Sequence, residues 1–298
     1  MVVTDRSGEG VSGGFGGHSR LVRLLAGLGA VLALWWHTDG TVLAQARLSD
    51  GRTARAGGSG VVQAWYVQPT TRYRHGILGD PVEAGGLAVR DSTGRQHVLT
   101  LPDDSVFEDL TPRLADLDGD GAAEVVAVRS YLTRGSALAV FGMRNGELVR
   151  LAETAPIGRP ARWLNPAGIA DFNGDGRPEI AIVKTPHVGG TLEFWRFGAG
   201  SLSRIAAAGG FSNHVIGSRQ LGLSALVDVD RDGVVDLVLP DAGRTVLVAV
   251  GLSGGRLRII GRAPLPGPVV GNLAVAGERI SAGLAGGGRA SVSLADFR

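Results

Sequence analysis

Short apolar runs recur along the chain, each bounded by Gly, Asn, Asp or Ser: Val61-Val-Gln-Ala-Trp-Tyr-Val67, Gly86-Leu-Ala-Val89, His97-Val-Leu-Thr-Leu101, Ala137-Leu-Ala-Val-Phe141 and Thr245-Val-Leu-Val-Ala-Val250 are examples. They are too short for ordinary helices and rich in β-branched and aromatic residues, so they read as strands. The pattern predicts an all-β fold.

The runs are organised by an internal repeat. Leu114–Val128, Ile169–Val183 and Leu226–Pro240 align without gaps, and their first aspartates, Asp116, Asp171 and Asp228, fall 55 and 57 residues apart. Two more strand-like runs follow each core: Ala137–Phe141 with Leu148–Ala152, Thr191–Trp195 with Leu202–Ile205, and Thr245–Val250 with Arg256–Ile260. Turn residues such as Asn145-Gly146 and Gly254-Gly255 divide them. Each unit therefore holds one strand before an acidic loop, one after it, and a hairpin. Four short strands per repeat is the composition of a β-propeller blade. Residues 76–101 and 269–294 form weaker units without the acids. Removing 46 residues from 298 leaves 252, which at about 50 residues per unit predicts about five four-stranded blades. Val61–Val67 is expected to complete the last blade and close the ring, which would remove exposed sheet edges. The predicted organisation is a lead and signal segment over 1–46, a linker over 47–60 and one propeller over 61–298.

The loops carry the candidate chemistry. Each reads D-x-[DN]-x-D-G-x-x-[DE], with positions 1, 3, 5 and 9 filled by Asp116, Asp118, Asp120 and Glu124, by Asp171, Asn173, Asp175 and Glu179, and by Asp228, Asp230, Asp232 and Asp236. Alternating oxygen ligands on a tight turn converge on one hard cation, and Ca²⁺ takes about six to eight oxygens from carboxylates and carbonyls. Position 7 (Ala122, Arg177, Val234) would add its carbonyl, and Gly121, Gly176 and Gly233 at position 6 allow a sharp turn. An EF-hand would need Glu at position 12 and then a helix. Position 12 is Ala127, Ile182 and Leu239, and strand-like sequence follows. The loops hold 11 of the 25 acids after residue 46, and packed carboxylates repel unless a cation neutralises them. The expectation is about three structural Ca²⁺ ions; Mg²⁺ suits such a loop less well, and the alternative is a set of solvated acidic turns.

These repeats resemble the FG-GAP/VCBS class known from integrin α heads and many exported bacterial proteins. The resemblance is strong over 114–262 and specific for the loop. It implies a propeller with structural metal loops on one face and ligands met on the opposite face. Uncharacterised exported bacterial members look similar at Arg74-His75-Gly-Ile-Leu-Gly-Asp80 and Asn213-His-Val-Ile-Gly217.

Composition adds location and partner class. Arg20 and Arg23 precede the apolar run Leu24–Trp36, and Ala44 and Ala46 form an A-x-A-like end. That pattern reads as a secretory signal peptide and a periplasmic or secreted protein; an uncleaved membrane anchor over 24–36 is the alternative, and a buried helix a third. The chain has no Cys, which removes disulfides, thiolate metal sites and a cysteine nucleophile. After residue 46, and outside the loops, 27 basic residues stand against 14 acidic ones (30 − 3, and 28 − 3 − 11). With the loops filled, such a surface suits an anionic glycan or an envelope protein; export argues against nucleic acid. Arg134, Arg162, Trp163, His187, His214 and Arg219 fall in connections at the rim opposite the loops and form the expected ligand face. The functional expectation is a non-catalytic binding or scaffold module. The alternatives are a propeller hydrolase or lyase acting on glycans or phosphodiesters, for which Asp80, Glu108, Asp109 and Glu153 are unranked candidates, and a structural part of an envelope assembly. Gly251-Leu-Ser253-Gly-Gly255 matches a nucleophile-elbow pattern but precedes a strand, so it reads as a hairpin turn. Gly8–Gly13 matches a dinucleotide pattern without a preceding strand or following helix, and is set aside.

Overall fold

The computed structural model describes residues 46–298; the expected signal segment and the Gly8–Gly13 motif lie outside the described residues. Among the described residues there is no α-helix, and none long and apolar enough to cross a membrane. The strands follow one another in short antiparallel groups, as the alternating apolar runs and Gly-rich turns dictate.

The first group is β1 (Ala54–Arg55), β2 (Ser59–Thr70), β3 (Glu83–Asp91) and β4 (Gln96–Thr100), paired in chain order. The second is β5 (Ser105–Phe107), β6 (Arg113–Ala115), β7 (Ala122–Tyr131), β8 (Gly135–Arg144) and β9 (Glu147–Glu153). Both β5 and β6 pair with β7, through Phe107↔Arg129 and Ala115↔Glu124, so 105–115 acts as one interrupted strand. Ala84↔Phe107 and the parallel pair Ser59↔Ala122 join these two groups into one nine-stranded sheet. Next comes the sheet β10 (Leu164–Ala170), β11 (Glu179–Lys184), β12 (Thr191–Gly198) and β13 (Ser201–Gly209). It is followed by β14 (Ala225–Val227), β15 (Asp236–Pro240), β16 (Val246–Ser253) and β17 (Arg256–Pro264). The last sheet has three strands: β18 (Ala274–Ala276), β19 (Arg279–Gly283) and β20 (Arg289–Ser293). Ser253 and Arg256 pair across Gly254-Gly255, so the Gly-x-Ser-x-Gly sequence is a hairpin turn.

Two expectations are corrected. Val61–Val67 lies in β2 and pairs with β3, not with the last sheet. A short meander between sequence neighbours closes smaller loops than a strand sent to the far end of the chain, and so costs less entropy. Residues 47–60, expected as a linker, are part of the same sheet: Arg47 bridges Val67, Leu48 is buried, and β1 pairs with β2.

Burial explains the grouping. β7 and β8 are buried on nearly every residue, which requires cover on both faces. β13 and β17 are mostly exposed or half-buried and form the outer edges of their sheets. The first two groups share a core in which Tyr66 stacks on Phe107 at 5.3 Å and Phe107 meets Phe141 edge-on at 5.5 Å. Phe172 and Phe194 (5.1 Å) anchor the cluster shared by the next two sheets. Phe107 thus packs against a strand of each group, β2 through Tyr66 and β8 through Phe141. Replacing it by Ala should lower the unfolding free energy by about 3–5 kcal/mol in denaturant titration, the range for emptying a buried aromatic site; a loss under about 1 kcal/mol would show that this stack does not couple the two groups.

Candidate metal centres in the acidic loops

The three loops occupy the same place in three sheets: they join β6 to β7, β10 to β11 and β14 to β15. Their internal hydrogen bonds repeat residue by residue. The position-1 aspartate accepts the position-6 N–H: Gly121 to Asp116 Oδ2 at 2.9 Å, Gly176 to Asp171 Oδ2 at 2.7 Å, Gly233 to Asp228 Oδ2 at 2.9 Å. The position-5 aspartate accepts the position-7 N–H at 2.8–3.0 Å in all three. The position-9 acid turns back and accepts the position-2 N–H: Leu117 to Glu124 Oε2 at 2.9 Å, Phe172 to Glu179 Oε2 at 3.0 Å, Val229 to Asp236 Oδ2 at 2.8 Å. The glycines at position 6 have φ of 83°, 85° and 87°, the left-handed region that the sharp turn requires.

The last acid of each loop is inside the protein. Glu124, Glu179 and Asp236 expose 1%, 0% and 2% of their surface because they lie in the first residues of strands in the sheet interior, third in β7 and first in β11 and β15. Burial, with the repulsion of Asp118, Asp120 and Asp116 added, pushes the Glu124 carboxyl from 4.5 up to about 7, against the pull of the Leu117 N–H. Burial and the acids Asp230, Asp232 and Asp228 push Asp236 from 3.8 up to about 6. A buried anion in an anionic loop is an unstable arrangement unless a cation joins it.

Residues 111–182, which span the first two loops and the strands after them, match the family model of the FG-GAP-like repeat. The similarity to an FG-GAP-like repeat is thus shown for residues 111–182. No curated protein gives a significant match to the chain.

Two of the three loops present a ready set of cation ligands. One carboxylate oxygen each from Asp116, Asp118 and Glu124 lie within 4.8 Å of one another, and the same holds for Asp228, Asp230 and Asp236. In the first set Asp118 Oδ1 is buried and has no hydrogen-bond partner. These residues fit a hard divalent ion. Asp120 and Asp232 stay outside the two sets, each holding the turn through the position-7 N–H. The middle loop is different. Asp171, Asn173, Asp175 and Glu179 keep the same backbone turn, but Arg196 from β12 enters it, with Nη1 2.8 Å from Asp175 Oδ2 and Nη2 against Glu179 Oε1. Burial raises the Glu179 carboxyl too, and there the Arg196 hydrogen bond opposes it. Sequence reasoning missed Arg196, because only strand pairing brings it to the loop.

The expected ligand-face residues lie at the other ends of these strands and separate into three places. Trp163, His187 and His214 come together: Trp163 stacks on His187 at 6.3 Å, meets His214 at 4.7 Å, and His187 Nε2 lies 2.9 Å from His214 Nδ1. Trp163 and His214 are buried, with Trp163 Nε1 donating to the Glu108 carbonyl and His214 Nε2 at 2.8 Å from the Ser218 carbonyl. Burial holds both imidazoles near a pKa of about 4, so they are neutral at pH 7 and serve packing and hydrogen bonding. Arg162, His187 and His75 border one cleft of about 110 Å³ with Trp163. Arg134 stands elsewhere, over the Tyr131 ring at 4.0 Å. Arg219 ties Asp50 (2.8 Å) and Asp80 together.

Chelation should lower the melting temperature of the full chain, and Ca²⁺ should restore it by mass action on the folded state. Asp118→Ala or Asp230→Ala should each shrink that response; an unchanged response in both would exclude these ligands. The pH dependence has a defined sign. A folded chain whose Glu124 titrates at about 7 keeps a proton that the unfolded chain sheds at 4.5, so metal-free stability falls as pH rises through that window. Ca²⁺ takes the deprotonated form, so the rise in melting temperature caused by Ca²⁺ should grow over the same window. Paired melts with chelator and with Ca²⁺ across it measure this directly.

Proposed function

We propose that the chain is an exported, calcium-stabilised β-propeller of about five blades that acts as a non-catalytic binding or scaffold module. The observation that carries this reading is the recurrence of one strand order, with the acidic loop at the same connection, in three consecutive sheets. The first strand group and the three-stranded last sheet supply the remaining two blades. Contacts between neighbours support a ring: β6 meets β1 and β2, β10 meets β7 and β8, β14 meets β10, and β18 meets β14. The connection after β13 also reaches back to the first group, with Gly217 N–H donating to the Ile77 carbonyl at 2.9 Å and Arg219 paired with Asp50 and Asp80. Ca²⁺ would neutralise the buried acids of the first and third loops and stiffen the strand entries there; its role is structural.

The ligand site in this reading is the cleft at the strand ends away from the loops. Arg162 borders it and has no carboxylate partner among the described residues, the half-buried His187 stacks on the buried Trp163 at its floor, and Val188 and Ile216 stand 63% and 66% exposed at its edge. A cation beside rings and apolar side chains suits an acidic sugar or an acidic segment of an envelope protein. The competing reading is a hydrolase or lyase. His75, also at the cleft, has Nδ1 2.6 Å from Glu108 Oε1, and Ser130 donates to the other Glu108 oxygen. A carboxylate-held imidazole is the arrangement of a general base.

Retention of the protein on immobilised acidic glycans separates these readings. Arg162→Ala should reduce retention at least about tenfold, roughly the loss of one charge-assisted contact, with the melting temperature unchanged. Turnover of a glycan or phosphodiester panel that disappears in His75→Ala would instead establish the enzyme. Equal retention by Arg162→Ala and the parent would remove this cleft from the binding surface.

A further inference from the structure

The middle loop differs from its neighbours through a side chain on another strand. The ladders end at Val125↔Phe141, Ile180↔Trp195 and Leu237↔Val250. One step further, the position-9 acid faces Gly142, Arg196 and Gly251 in turn. At the two glycines no guanidinium stands over the acid; Leu151 and Ile260 pack there instead, with a Cβ at Gly142 falling 2.7 Å from Leu151 Cδ1 and one at Gly251 3.3 Å from Ile260 Cδ1. A Cβ added at Gly142 would sit 3.7 Å from Glu124 Cγ, and one at Gly251 would sit 3.1 Å from Asp236 Oδ1. A cavity of about 320 Å³ opens there beside Asp232, Asp236 and Gly251. At Arg196 the guanidinium fills this place, bonded to both Asp175 and Glu179.

Other arginines approach the loops without reaching that position. Arg144 Nη2 lies 3.9 Å from Asp118 Oδ2, and Arg258 Nη2 lies 2.9 Å from Asp230 Oδ2 and 3.5 Å from Asp232 Oδ2. Their ion pairs are with Asp118, Asp230 and Asp232, not with the position-9 acids Glu124 and Asp236. The middle loop also replaces one acid by Asn173, whose amide donates to Asp175 Oδ2 at 3.1 Å. Three carboxylates less one guanidinium leave −2 there; four carboxylates less Arg258 still leave −3 in the third loop.

We infer that Arg196 is a built-in counter-cation, so that the middle loop is closed by a guanidinium and the chain holds two Ca²⁺ ions, one in each flanking loop. The inference rests on the reading that the first and third loops take calcium. A guanidinium is always charged and its planar fork matches carboxylate oxygens. An ion entering the middle loop would have to displace it from Glu179, a residue with no exposed surface, and leave an unpaired cation against the sheet. The middle sheet then keeps its loop closed with or without calcium, while the flanking sheets respond to it.

Equilibrium dialysis of the full chain against Ca²⁺, with bound metal counted by atomic emission, tests this. Two ions per chain are expected, falling to one in Asp118→Ala and in Asp230→Ala and staying at two in Asp171→Asn. Arg196→Gly, which copies the flanking loops, should bind a third ion or, where Asn173 weakens the new site, do so as Arg196→Gly with Asn173→Asp. Three ions in the parent, or a loss of one on Asp171→Asn, would overturn the role of Arg196 while leaving calcium binding intact. No bound calcium in the parent would remove the calcium reading itself, and this inference with it. Should the Arg196→Gly chain fail to fold, the Asp171→Asn count alone decides.

Discussion

The fold depends on one repeated interaction: a carboxylate at the start of a buried strand reaches back to the N–H two residues into the loop before it. Leu117–Glu124, Phe172–Glu179 and Val229–Asp236 each make this bond at 2.8–3.0 Å. It fixes how the chain leaves one strand and enters the next. It also places a charge where the sheet has almost no solvent, and that charge demands compensation. The rest of the loop sharpens this demand by arranging further acidic oxygens on the same turn.

The compensation takes two forms. In the flanking loops three acid oxygens gather with no guanidinium on the position-9 acid, a set that fits a hard cation. In the middle loop a guanidinium from the neighbouring strand is paired with that acid. The two arrangements share backbone geometry, but only in the middle loop is the counter-charge of the position-9 acid carried in the chain. At the far ends of the same strands Trp163 and His214 are buried and neutral, and the buried carboxylate Glu108 is met by His75 and Ser130.

Much of the site was legible because a turn is a local structure. Nine consecutive residues contain the acids and the N–H groups of the repeated turn, so spacing alone picked out Asp116, Asp171, Asp228 and their loop partners. The strand runs around the loops were equally plain, since alternation and turn residues act over a few positions. Val61–Val67 was read as a strand, yet its partner was not legible; apolar strands pair with many others until the sheet is assembled. The ligand-face residues were placed near one another by connection, but Arg219 proved to be held by Asp50 and Asp80 across long separations, and Arg134 by Tyr131 three residues before it.

Sequence by itself determined the all-β class, the repeat, and the oxygen-rich turns, because each of these is written in residues close along the chain. Tertiary structure decided which turns are open to an ion. Gly142 lies 18 residues after Glu124, Arg196 17 after Glu179 and Gly251 15 after Asp236. Hairpins of unequal length hide this equivalence from any gapless alignment, and only the pairing of strands brings the three residues to the same place.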